Sequence, residues 1–190
     1  DGDDDEDTMV DALVGAGGHQ EYSKLYAATL LGKVNATTFM EVYGRGSIVA
    51  EANKRRRKVD VRGIGALDLR TFKDDGSPWN FNLKEDRRLA RKMIDEQQPD
   101  WVIGSPPYTA FSVWNTSMNY PKMDPAKVAA LVLEGERHLK FMAGIYRRQH
   151  ERGKFFLHEH PAGARSWKVP VIKNLTSLRG VDIVRGDQCQ

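Results

Sequence analysis

Four short stretches of this chain end apolar runs in residues equipped for chemistry. The most informative is Val102-Ile103-Gly104-Ser105-Pro106-Pro107-Tyr108. Val102 and Ile103 suit a buried strand of a parallel sheet. Neither proline can donate to a ladder, so the strand must stop there. Ser105 to Tyr108 therefore leave the carboxyl end of a strand, where open α/β sheets place their ligands. A second run, Phe155-Phe156-Leu157, passes into His158-Glu159-His160-Pro161. A third, Thr37 to Tyr43, carries Glu41 and breaks at Gly44-Arg45-Gly46. An acid at the end of a buried strand needs a role, and a glycine turn lets backbone approach a cofactor closely; an ordinary strand-to-helix turn has the same composition. The fourth, Ile64 to Leu69, carries Asp68 at about the distance past Glu41 where nucleotide-type folds place a ribose-binding acid, or where a turn simply begins. A parallel sheet lines such strand ends along one edge. Two histidines around Glu159 suggest a metal, but no further ligand cluster accompanies them and none is expected.

The elements that must position these residues alternate strand and helix. Ser47 to Lys58 reads as a short helix, with Ser47 as N-cap and Glu51 in its first turns. It ends in Lys54-Arg55-Arg56-Arg57-Lys58, which is either a solvated helix end or a phosphate contact or targeting signal. Leu83 to Gln98 reads as a helix with Leu89, Met93 and Ile94 inward and Arg87, Arg88, Arg91 and Lys92 outward. Thr109 to Asp124 is a long polar and aromatic loop whose Phe111, Ser112 and Trp114 suit stacking and hydrogen bonding to a nucleic-acid strand, or a lid over a cofactor. Asp124-Pro125 starts a helix running to about Glu151, with His138 and His150 at or near its surface. A helix around Val171 to Leu178 and a strand at Val181 to Val184 follow. The fold class expected is α/β, Rossmann-like: a mostly parallel sheet flanked by helices, minimal or truncated at the carboxyl end.

The amino-terminal side looks different. Asp1 to Asp7 is nearly all acid and is expected to be disordered. Met9 to Gly18 reads as a linker or frayed helix. His19 to Val34 reads as a helix with Tyr22, Leu25, Leu30 and Leu31 on one face. The expected division is a tail and linker over 1–18 and a single domain over 19–190. Of 190 residues, 40% are apolar, enough for a real core. The net charge of +3 conceals an acidic start and a more basic remainder, which favours a polyanionic partner modestly. The lone Cys189 excludes an internal disulfide and a cysteine-based zinc site. No run approaches a membrane span and no signal peptide is visible, so an intracellular place, nucleus or cytoplasm, is expected. The absence of a starting methionine reads as a fragment or a processed piece.

Ser105-Pro106-Pro107-Tyr108 resembles the (Asp/Asn/Ser)-Pro-Pro-(Tyr/Phe/Trp) motif of S-adenosylmethionine-dependent DNA methyltransferases that act on exocyclic amines. The resemblance implies that Ser105 and the Pro106 carbonyl orient the target amine, that Pro106 and Pro107 fix the loop, and that Tyr108 stacks on a base taken out of the duplex. Glu41-Val42-Tyr43-Gly44-Arg45-Gly46 is similar in part, compressed by one residue, to the family's cofactor loop (Asp/Glu)-x-(Phe/Tyr)-x-Gly-x-Gly. By that likeness Glu41, Tyr43, Gly44, Gly46 and Asp68 would hold the cofactor. Pro107 to Ser112 also looks like the Pro-Cys-Gln-x-Phe-Ser loop of cytosine carbon-5 methyltransferases, with Tyr108 at the cysteine's place. A phenol is a far poorer nucleophile than a thiol near neutral pH, so the covalent carbon-5 route is closed there. Glu159-His160-Pro161 matches those enzymes' Glu-Asn-Pro at Glu159 and Pro161, which implies that Glu159 holds a base edge.

Such strings resemble methyltransferase-like domains of mobile-element and viral polyproteins. The implied activity is methyl transfer from S-adenosylmethionine to an exocyclic amine of adenine or cytosine, in DNA rather than RNA. Phe111, Ser112, Trp114 and His160 would contact the substrate. The alternative is a catalytically inactive module of the same fold that binds nucleic acid.

Overall fold

The computed structural model describes residues 9–15, 36–56 and 60–187. Its strands are β1 (Met9–Gly15), β2 (Thr37–Val42), β3 (Val61–Leu67), β4 (Trp101–Gly104), β5 (Phe155–Pro161) and β6 (Val181–Asp187). Among the described residues, four α-helices lie between the strands: α1 (Ser47–Arg55), α2 (Lys84–Gln97), α3 (Pro125–Glu151) and α4 (Pro170–Thr176). All six strands share one sheet in the order β3-β2-β4-β5-β1-β6. The first four are mutually parallel, and β1 runs antiparallel to both β5 and β6. The protein is thus α/β, with a four-stranded parallel sheet flanked by helices, as in Rossmann-like folds. Among the described residues, no helix is long and apolar enough to cross a membrane.

Side-chain alternation assigns the faces. Met40, Val42, Val102 and Phe156 point to one side, into a core completed by Ala90 and Ile94 of α2, Leu139, Met142 and Tyr146 of α3, and Ile172 and Leu175 of α4. Glu41 points to the other side, towards α1. The chain leaves β2 for β3 on one flank, then returns across β2 to β4. That reversal creates a topological switch point between the carboxyl ends of β2 and β4.

Several expectations change. Met9–Gly15 is neither linker nor frayed helix but a strand paired along both edges. The expected disorder of Asp1 to Asp7 and the helix His19 to Val34 lie outside the described residues. Ser47 does not cap α1; Gly46 occupies the N-cap at φ 88°, and no side chain of its own completes the cap. Leu89 is exposed on α2, where Ala90 and Ile94 form the buried stripe. The loop expected over Thr109 to Asp124 is largely helical, with 3-10 turns at Thr109–Phe111 and Tyr120–Lys122 around a π-helical turn at Asn115–Asn119. The start of α3 agrees with expectation: Asp124 accepts from the Ala126 amide at 2.8 Å, and Pro125 takes the first helical position.

Helix α1 sits directly on β3 at Gly63. A Cβ there would stand 2.6 Å from the Val49 Cα and closer still to its carbonyl oxygen. Both are backbone, so the helix itself must move. Gly63→Ala is expected to destabilise the fold by about 1–3 kcal/mol through overpacking, measured as a drop in the urea midpoint at unchanged m-value. An unchanged midpoint would mean that α1 is not held against the sheet there.

Candidate functional site

A cleft of about 600 Å³ opens at the carboxyl ends of β2, β3, β4 and β5, at the switch point. Its walls include Tyr43 and Arg45 from the β2 turn, Asp68 and Arg70 after β3, Ser105 to Thr109 after β4, and Glu159 and His160 from β5. The four sequence stretches therefore do converge, although their residues play different parts.

Ser105 and Glu159 meet directly: the Ser105 hydroxyl donates to Glu159 Oε2 at 3.1 Å. The serine oxygen is left with acceptor capacity towards the cleft. Pro106 is buried, and its carbonyl oxygen accepts a bond of 2.7 Å from His160 Nε2. That contact makes Nε2 the protonated nitrogen, so His160 Nδ1 accepts from Ser166 Oγ, also at 2.7 Å. His160 is thus a strut beneath the Ser-Pro-Pro-Tyr loop. With both nitrogens engaged, it is not the direct substrate contact expected. Tyr108 stands at the mouth of the cleft with 43% of its surface exposed, its ring centroid 6.0 Å from that of His160.

Glu41 is also redirected. Its carboxylate is 3% exposed and accepts from the Val49 amide at 2.8 Å, filling the N-terminal end of α1. Gly44 lies against the same carboxylate; a Cβ there would come within 2.5 Å of Oε1. The carboxylate expected to hold cofactor groups instead neutralises the helix terminus and fixes the turn. Tyr43 holds a left-handed backbone at φ 62°, unusual for a bulky residue. Its ring packs on Phe81 at 4.7 Å, and its hydroxyl lies 2.7 Å from His138 Nδ1. Burial pushes that phenol far above its ordinary pKa. His138 is accordingly a buried core histidine, held below its usual pKa chiefly by desolvation, rather than a surface group. Asp68 lines the cleft, and its Oδ1 accepts from the Arg70 amide at 3.0 Å to start the turn.

The expected substrate contacts scatter. Phe111 is 4% exposed and packs in the core against Gly135 of α3, because helical winding turns it inward. The Ser112 hydroxyl accepts from the Asn115 amide and donates to the Thr109 carbonyl, closing a local turn. Trp114, 67% exposed, is on the protein surface with Val113 and Met118.

Residues that sequence reasoning missed lie beneath and beside the cleft. Strand β5 continues to Pro161, so His158 and His160 point to one face with ring centroids 4.4 Å apart, and Glu159 points to the other. His158 Nδ1 lies 3.3 Å from the Tyr146 hydroxyl, which donates to the Gly104 carbonyl. His158 Nε2 has no hydrogen-bond partner among the described residues. Burial, then the neighbouring His160, holds His158 well below its usual pKa; burial lowers His160 to about 4, opposed by the Pro106 bond. Both rings are neutral near pH 7. Their period-two spacing was the available signal. No group of metal-ligating side chains is assembled among the described residues. Arg45 and Arg70 bring positive charge to the cleft wall. An adjoining cavity of about 830 Å³ shares Leu69, Pro107 and Thr109 with the cleft and continues along Trp79, Asn80 and Asn82.

No protein-family model, curated protein or solved structure matches this chain. What the cleft can do follows from its own geometry. It is lined by the Asp68 carboxylate, by Ser105 and Pro106, by an exposed aromatic at Tyr108, and by cations at Arg45 and Arg70. The helix terminus where dinucleotide-binding folds seat a pyrophosphate is already occupied by Glu41.

Proposed function

We propose that this cleft binds S-adenosylmethionine and that the domain, a methyltransferase fold, methylates an exocyclic amine of a nucleic-acid base, adenine or cytosine, in DNA. The observation carrying this reading is the convergence of Asp68, Ser105 to Tyr108 and Glu159 around one cleft at the switch point. The residues fit this cofactor. It is a nucleoside without phosphate, and the phosphate seat on α1 is filled by Glu41 while Asp68 remains at the cleft wall for ribose hydroxyls. When bound, the sulfonium supplies the methyl group and leaves as a neutral thioether.

The chain's own residues orient the nucleophile. The Ser105 hydroxyl donates its hydrogen bond to Glu159, which leaves its oxygen lone pairs free to accept from an amine in the cleft. The Pro106 carbonyl spends one lone pair on His160 and keeps the other. Two acceptors set at an amine's two N–H groups turn its lone pair outward, towards the methyl donor. Tyr108 offers its face to the base, worth about 1–3 kcal/mol for stacking. The amine's proton leaves after attack, so no general base is required.

A second reading, an inactive module that binds nucleic acid, is favoured by one observation: the compressed glycine turn spends Glu41 on α1. Calorimetric titration with S-adenosylmethionine and S-adenosylhomocysteine separates the two. Saturable binding is expected, weakened about 10–100-fold in Asp68→Ala through loss of charged hydrogen bonds. A folded sample that binds neither at millimolar concentration would overturn the enzyme reading and leave the second.

A further inference from the structure

We infer that the groove between α2 and α3, outside the cleft, is a contact surface for the sugar-phosphate backbone of DNA. The groove encloses about 350 Å³ and is lined by Arg87, Arg91, Leu133, Arg137, Lys140 and Phe141. Arg87 and Arg91 stand about one helical turn apart on α2, about 6 Å along its axis. Arg137 and Lys140 face them from α3. These cations form two rows rather than converging on one point. That suits a chain of regularly spaced charges better than a single small anion.

The three arginines are oriented but not neutralised. Arg87 donates to the carbonyl oxygens of Phe81 and Asn82 at 2.6 and 2.9 Å, and Arg137 donates to Asn82 Oδ1 at 3.2 Å. All three acceptors are uncharged. The Arg91 guanidinium lies over the Phe141 ring at 4.9 Å. None of the three arginines forms an ion pair among the described residues; of the four cations only Lys140 does, with Glu136 at 2.9 Å. The acids nearby are committed elsewhere: Asp95 to Arg148 and Arg152, Glu134 to the Asn82 amide. Arg91 accordingly has its pKa lowered, first by partial burial and then by Arg87 and Arg148. Like charges held together in a concavity, with their side chains already placed, are stabilised by an incoming polyanion at little ordering cost.

The groove also leads somewhere. Asn82, to which both Arg87 and Arg137 bond, lines the larger cavity that shares Leu69, Pro107 and Thr109 with the cleft. A strand lying in the groove would run towards the Ser-Pro-Pro-Tyr loop. The outer face of α2 supplies a natural comparison, because Arg88 and Lys92 there are paired with Glu85 and Glu96.

This inference rests on the proposed function only for the class of partner. Its test is fluorescence anisotropy of a labelled mixed-sequence DNA oligonucleotide with the full chain, without cofactor, from 50 to 200 mM salt. Arg91→Gln/Arg137→Gln is expected to weaken binding about tenfold at the low-salt end and to make the log–log salt slope shallower by about two. Arg88→Gln/Lys92→Gln removes the same formal charge and is expected to stay within twofold of the parent. Arg137→Gln alone, which leaves the packing of Arg91 on Phe141 undisturbed, is expected to make the slope shallower by about one. Equal losses from groove and outer-face pairs, or no DNA binding by the parent at 50 mM salt, would overturn the inference. A parent that binds DNA through the groove but not S-adenosylmethionine would instead overturn the enzyme reading alone.

Discussion

Lowering the pH from 7 to 4 is expected to destabilise the fold by several kcal/mol, and His160 is expected to supply a measurable share. An unfolded histidine takes up its proton near pH 6.5. Native His160 does so only at about 4, because burial disfavours the imidazolium. Between these values the unfolded state holds more protons, so stability rises with pH across the window. The contribution is complete above about pH 6.5 and is lost as the pH falls towards 4. At about 1.4 kcal/mol per pH unit, it amounts to roughly 3 kcal/mol for this one group. His158 is shifted in the same direction, and protonating either ring opposes protonating the other across 4.4 Å. Urea unfolding at pH 7, 6, 5 and 4.5 measures the slope. His160→Gln keeps a donor for the Pro106 carbonyl but cannot titrate, so its stability should fall less steeply with acid by about one proton's worth. Parallel slopes for parent and variant would show that His160 takes its proton at the ordinary pH.

The strand ends were legible because each carries a local signal. Val102-Ile103 before two prolines and Phe155-Phe156-Leu157 before polar residues announce buried strands and where their carboxyl ends face. The Asp124-Pro125 cap is likewise written into two adjacent residues. Strand β1 was not legible. Met-Val-Asp-Ala-Leu-Val-Gly has neither strict alternation nor a β-branched run. It is a strand because β5 and β6, from the far end of the chain, pair with both its edges, and no local propensity encodes that. At the site, residue types showed that Glu41 must be satisfied but not by what. The partner proved to be the Val49 amide, in a helix eight positions on. Phe111 was misplaced for a related reason: an aromatic in a presumed loop has no assigned face until a turn of helix gives it one. The role of His160 depends on how far β5 extends; three more residues of strand turn an exposed motif into a buried strut.

Under the proposed function, removing the Ser105 hydroxyl is expected to lower kcat for methyl transfer about a hundredfold, while removing the Tyr108 ring should act mainly on KM. The two effects separate because the residues do different work. Ser105 is half-buried and held by Glu159 beside the Pro106 carbonyl, so its oxygen is fixed before substrate arrives. A preorganised hydrogen-bonding group aimed at the reacting atom typically contributes about 10²–10³ in kcat. In Ser105→Ala that acceptor is lost and the Glu159 carboxylate loses a donor, yet Asp68, the proposed ribose contact, is untouched, so S-adenosylmethionine affinity should stay within about twofold. Tyr108 is exposed at the mouth, and among the described residues its hydroxyl makes no hydrogen bond that would hold the ring in advance. Its stacking forms with the base already in the ground state, so Tyr108→Ala is expected to raise KM for DNA about 10–100-fold with a smaller change in kcat. Tyr108→Phe keeps the face of the ring and should behave as the parent. Steady-state kinetics with tritiated methyl donor reads both parameters. A Ser105→Ala variant with undiminished kcat would mean that the loop merely terminates β4. A Tyr108→Phe variant as impaired as Tyr108→Ala would assign the work to the hydroxyl rather than to the aromatic face.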